Sequence, residues 1–172
     1  MTQTEYKRRH DEVGKTIHQK LALKYGLIGE KRRYYQYQPE TVLENTKYEV
    51  YWDRSILTDK SLGHNRPDIT IWKKKEGEVL LIDIAVTNDT NMGKTFAEKI
   101  NKYIDLNYEL KDLWRVDRVK MIPIVLSNMG TIPRNLFKSV EELDLEPYIH
   151  QQMQKAVILN TCHIAQRFLY SE

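Results

Sequence analysis

Apolar positions at helical spacing open the chain. Tyr6, His10, Val13, Ile17, Leu21 and Tyr25 share one face of a helix predicted over residues 4–25. Thr2 and Glu5 make a capping-box pair at its start, and Gly26 ends it. Residues 27–47 are polar, basic and rich in tyrosine, and they read as loop. The period then shortens. KYEVYW (47–52) and DITIWK (68–73) read as strands. VLLIDIAVT (79–87) is a nearly continuous apolar run, which predicts a strand buried on both faces. Between the last two, KKEGE (74–78) reads as a charged hairpin turn centred near Glu76–Gly77. Helical spacing returns over about 94–113, with Phe96, Ile100, Tyr103, Leu106, Leu110 and Leu113 on one stripe. VKMIPIVLS (119–127) reads as a further buried strand in which Pro123 removes one ladder donor. Pro133 and Pro147 mark the starts of two last helices. The second, about 147–170, aligns Met153, Ala156, Val157, Asn160, Ile164 and Phe168. The order αβββαβαα predicts a three-layer α/β domain.

Composition narrows the class. A chain of 172 residues, 41% of them hydrophobic, is one ordinary domain spanning residues 1–172. It is long enough to bury about two-thirds of its unfolded surface without disulfide staples. The single cysteine, Cys162, excludes an intramolecular disulfide framework and a cysteine-rich zinc site, and fits a reducing compartment. No run of 18 apolar residues offers a membrane span, and MTQTEYKRRH lacks the apolar core of a signal peptide. A net charge of +3 supports at most weak, salt-sensitive binding to polyanions.

Two aspartates change the picture. Asp68 begins the second predicted strand after Pro67, and Asp83 interrupts the apolar third, in the pattern Pro-Asp-x14-Asp. With the turn near Glu76–Gly77, Asp68 falls opposite Ala85, and Asp83 is its diagonal neighbour, about 7 Å away on the same face. An ionised carboxylate within LLIDIAV is costly unless it is paired or bound to metal. Two such carboxylates suit Mg²⁺ or Mn²⁺. A single aspartate at a sheet's end would more often cap a helix or meet an arginine. On the next helix, Lys99 and Lys102 share a face. A lysine above two carboxylates can orient an attacking water and stabilise charge on a phosphate. Without the aspartates they would be a solvated basic face.

The stretch RPDITIWKKKEGEVLLIDIAVTNDTNMGKTFAEKINKY resembles the restriction-like endonuclease domain of non-LTR retrotransposons, a branch of the PD-(D/E)XK nuclease superfamily. RHDEVGKTIH (9–18), MIPIVLSNMGTIP (121–133) and QKAVILNTCHIAQRFL (154–169) extend the resemblance through most of the chain. The resemblance implies an αβββαβ core and a metal-dependent DNA endonuclease that uses Mg²⁺ or Mn²⁺. It implies that Asp68 and Asp83 ligate the metal. The superfamily's usual lysine position holds Ala85, whereas this branch carries its lysine on the following helix in a pattern that Lys99-x-x-Lys102-Tyr103 matches. Lys99, nearer in sequence to the strand, is favoured over Lys102. Such domains usually end a large reverse-transcriptase polyprotein and nick the DNA that primes copying, which places the chain inside the cell, in the nucleus. The chain contains neither a Cys/His zinc cluster nor a reverse-transcriptase aspartate pair, so it reads as a detached nuclease domain. The rival reading is a decayed or domesticated module on the same fold that binds nucleic acid or protein without cutting.

Weaker signals surround this core. Arg66, held extended before Pro67, is placed to clamp a phosphate, with a loop cation as the equal alternative. Arg32 and Arg33 in KRRYYQY (31–37) combine phosphate contacts with tyrosines that can stack on bases; a solvated loop is as plausible. Lys73 and Lys74 near the hairpin tip are further candidates for DNA backbone contact. His10 reads as a hydrogen-bonded core histidine more than as a ligand, Glu12 as solvated, and Asp53 and Asp59 as turn caps. Cys162 and His163 read as packing.

Overall fold

The computed structural model describes residues 3–170. The expected Thr2–Glu5 capping box therefore lies outside the described residues. Helix α1 spans Gln3–Lys24. It ends where Gly26 takes φ +65°, a left-handed conformation that only glycine adopts cheaply. The sheet has five strands in the order β1 (Val42–Glu44), β2 (Tyr48–Trp52), β3 (Ile69–Lys73), β4 (Glu78–Thr87) and β5 (Arg118–Ser127). Pairs β1–β2, β2–β3 and β3–β4 are antiparallel, and β4–β5 is parallel. The three-residue strand β1 lies inside the stretch expected to be loop.

A parallel pair needs a crossover, and two helices supply it. They are α2 (Met92–Lys102) and α3 (Ile104–Leu113), preceded by a 3₁₀ turn at Asp89–Asn91. The single helix expected over 94–113 is thus broken at Tyr103, whose φ of −112° and ψ of 20° are not helical. Helices α4 (Arg134–Glu142) and α5 (Ile149–Tyr170) complete the chain. Pro133 caps α4, while Pro147 stands two residues before α5. Pro123 is tolerated because β5 is an edge strand.

The alternation along β3 and β4 divides the core between the two faces of the sheet. Ile69, Ile71, Leu80, Ile82 and Ile84 join Val13, Ile17 and Leu21 of α1, with Leu136 and Val140 of α4 and Met153 and Val157 of α5. On the other face Val79 and Leu81 pack with Tyr103, Leu106 and Leu110. The molecule is therefore a mixed α/β domain with an open five-stranded sheet and helices on both sides. On the expected stripes, Ile100 and Leu113 are exposed, as is Phe168 at the end of α5.

Gly14 sets how closely α1 approaches the sheet. A Cβ added there would stand 2.7 Å from the Trp52 ring and 3.0 Å from Ile84 Cδ1. That contact seats the middle of α1 against Trp52 at the end of β2 and Ile84 of β4.

Candidate active site

The hairpin closes at Lys73 opposite Glu78, so four residues form its turn, and the last paired rung is Ile69 opposite Ile82. Asp68 and Asp83 are the next residues on each strand. They face each other directly; Asp68 does not pair opposite Ala85 as the sequence spacing suggested. The turn is centred one residue earlier than Glu76–Gly77. Both carboxyls come to one place, close enough for Asp68 to bear on the ionisation of Asp83.

β3 ends here while β4 continues, which leaves the Ile84 N–H without a strand partner. Asp68 Oδ2 accepts it at 2.6 Å. The same oxygen is 3.1 Å from His10 Nε2, and His10 Nδ1 is 3.1 Å from Asp11 Oδ1. Burial disfavours the charged imidazole, but Asp68 and Asp11 outweigh it and push the His10 pKa up to about 9. His10 is thus hydrogen-bonded as expected, although its partner is a candidate site residue.

Asp83 is only 2% exposed and faces the crossover helices. Lys99 Nζ lies 2.5 Å from its Oδ2, and Lys102 Nζ lies 3.3 Å from the same atom. The i, i+3 spacing on α2 brings both there. Burial pushes the Asp83 pKa up, yet the two lysines prevail and hold it below the usual carboxylate range. Tyr103, where the crossover breaks, turns its ring inward. Its hydroxyl lies 3.1 Å from Asp83 Oδ1 and 3.0 Å from the Arg66 carbonyl, and shares its one proton between these two acceptors. Burial and then Asp83 push the Tyr103 pKa up, so it remains a donor. Tyr103 was legible only as a stripe residue and as the last letter of the lysine pattern.

The other candidates sit apart. Arg66 directs Nε to Asp53 Oδ1 (2.8 Å) and to the Asp53 carbonyl (3.0 Å), so its guanidinium braces the turn where Asp53 has φ 45°. Lys73 pairs with Glu78 at 2.8 Å, and Lys74 pairs with Glu44 and Glu49, all around the hairpin turn and the neighbouring ends of β1 and β2. Glu12 pairs with Lys15. Arg32 and Arg33 lie on a loop beside α1, away from the aspartates.

The donor chemistry fits a hard cation. Mg²⁺ takes one or two protein carboxylates and fills its shell with water and substrate phosphate oxygens. Asp68 and Asp83 provide that pair; among the described residues no three His, Cys, Asp or Glu side chains are grouped to hold a metal. In the structure both carboxylates are neutralised by nearby cations.

A scan of family models finds no match to this chain, and a search of curated proteins finds no match either.

Proposed function

We propose that the chain is a divalent-metal-dependent endonuclease that nicks DNA by phosphodiester hydrolysis. One observation carries the reading: two carboxylates on adjacent strands meet two lysines and a tyrosine from the crossover helices, in a domain otherwise stabilised by apolar packing. Asp68 and Asp83 are the residues that would hold Mg²⁺ or Mn²⁺, and such an ion supplies Lewis acidity at the scissile phosphate. Lys99 and Lys102 neutralise charge growing on the phosphate oxygens, or orient the attacking water. Tyr103 fixes the Asp83 carboxylate through Oδ1, and His10 fixes Asp68 through Oδ2.

The resemblance to retrotransposon restriction-like endonucleases supports the same reading. It adds a restriction-endonuclease core within the mixed α/β fold, and a larger reverse-transcriptase polyprotein as the working context. No helix of the described residues is long and apolar enough to cross a membrane. Arg66, Lys73 and Lys74 are candidate DNA contacts only if they leave their carboxylate partners.

A second reading, a binding module that does not cut, is favoured by Ala85 and by the engagement of both carboxylates with internal partners. Supercoiled-plasmid nicking separates the two. Conversion to open circles with Mg²⁺ or Mn²⁺, and none in EDTA, supports the nuclease. A folded protein that leaves the plasmid intact in both metals supports the binding module.

A further inference from the structure

A groove of about 910 Å³ runs between α1, the loop that follows it and α5. None of Asp68, Asp83, Lys99 and Lys102 lines it. Its walls are basic: Arg8 and Lys15 of α1, Lys31, Arg32 and Arg33 of the loop, and Lys155 of α5. The lining holds one acid, Glu12, which is paired with Lys15. Among the described residues, Arg8, Lys31, Arg32 and Lys155 form no salt bridge with a carboxylate. That contrasts with Lys73, Lys74, Lys99 and Lys102, each of which has at least one.

The same loop presents aromatic rings. Tyr34 and Tyr35 are 60% and 56% exposed and meet edge to face, with centroids 5.4 Å apart. Arg33 donates to the Tyr35 hydroxyl at 2.7 Å. The loop is also tied down. The Arg32 backbone N–H donates to the buried Gln19 Oε1 at 3.0 Å, and buried Tyr37 shares a 2.7 Å hydrogen bond with His18. Its exposed rings and cations are therefore held on anchored backbone, which lowers the ordering cost of binding a ligand there.

We infer that this groove binds single-stranded nucleic acid, with its cations tracking the phosphates and Tyr34 and Tyr35 stacking on bases. Unpaired lysines and arginines select a polyanion. Exposed rings add contact only where base faces are accessible, as in a single strand and not inside a duplex stack. The inference stands apart from the nuclease reading, because it uses none of the residues assigned to cutting.

The test is fluorescence anisotropy of the intact chain with labelled 20-nucleotide oligo(dT), oligo(U) and a 20-base-pair duplex, all in EDTA. EDTA removes cleavage, so a failure here leaves the nicking assay unaffected. Both single strands, or either one, should bind at least about fivefold tighter than the duplex; the tighter of the two identifies DNA or RNA as the source. Tyr34→Ala should weaken single-strand binding about fivefold or more with the salt slope unchanged. Arg32→Ala combined with Lys155→Ala should flatten the slope of log K against log salt by about 1.4, the effect of losing two phosphate contacts on a single strand. All three positions are at the surface, and circular dichroism verifies that the variants remain folded. Duplex binding as tight as single-strand binding overturns the inference, as does a silent Tyr34→Ala. Polyglutamate binding that matches the oligonucleotides would identify an acidic protein surface as the ligand, and also overturns it.

Discussion

Asp68 and Asp83 stand directly across from each other, one step beyond the last β3–β4 rung, Ile69 opposite Ile82. β3 stops there and β4 does not. The gap lets the Asp68 side chain replace a backbone acceptor for Ile84 N–H, and it brings the two carboxyls together. Two like charges at such a place are tolerated because His10 attends one and Lys99 and Lys102 attend the other.

The lysines differ in reach, and their variants should differ in rate. Lys99 is the closer to Asp83, at 2.5 Å against 3.3 Å for Lys102. Lys99→Ala should slow single-turnover nicking by about 10²–10³-fold, the range for loss of one charge-stabilising donor. Lys102→Ala should slow it by about tenfold. Equal effects, or a larger effect at Lys102, would reverse the assignment of the nearer lysine.

Tyr103 joins the crossover to the site through one oxygen. Tyr103→Phe keeps the buried ring and removes the proton shared between Asp83 Oδ1 and the Arg66 carbonyl. Leaving those acceptors short of a donor should cost about 1–3 kcal/mol in urea unfolding. A variant as stable as the parent would show that water or another side chain takes over the hydroxyl's partners.

Gly14→Ala tests the seating of α1. Alanine is favoured over glycine within a helix by about 1 kcal/mol. The added Cβ, however, would meet the Trp52 ring at 2.7 Å, and overpacking costs about 1–3 kcal/mol. The expected result is a lower urea midpoint together with weaker nicking, since α1 carries His10 to Asp68. A gain in stability would mean that the helix can move outward freely.

Two histidines shape the pH dependence of stability in opposite windows. Burial pushes His18 down to about 4 from an ordinary 6.5, so the unfolded chain binds that proton more readily. Its contribution is complete above pH 6.5 and is lost as pH falls towards 4, by up to about 1.4 kcal/mol per pH unit. His10 is raised to about 9, so its contribution is complete below pH 6.5 and is lost as pH rises through 9. Urea midpoints measured in EDTA should peak near pH 6.5. His18→Gln should flatten the acid side alone.

Much of this was legible in the residues. Asp83 announced itself because a carboxylate inside LLIDIAV needs a reason, and Lys99 and Lys102 because a three-residue spacing puts them on one face. The four main strands followed from apolar runs. What escaped depended on partners far along the chain. β1 is three residues long, and only pairing with β2 makes it a strand. The hairpin register shifted because the turn closes at Lys73–Glu78, which the charged run KKKEGE does not specify. The crossover breaks at Tyr103 even though its apolar stripe runs on, because the buried ring reaches Asp83. His10 looked like a core histidine, since nothing local reveals a partner 58 residues away.

The most direct test is the nicking rate of the wild-type chain beside Asp68→Asn and Asp83→Asn, with Mg²⁺, at matched DNA occupancy and with folding verified by circular dichroism. Both substitutions keep the side-chain shape and remove a hard, charged oxygen donor. A metal site requires that the wild type nick and that each variant lose about 10³-fold or more while still binding DNA. A folded wild type that does not nick, or an Asp83→Asn variant that nicks at the wild-type rate, would show that the two aspartates only hold the ends of β3 and β4 together.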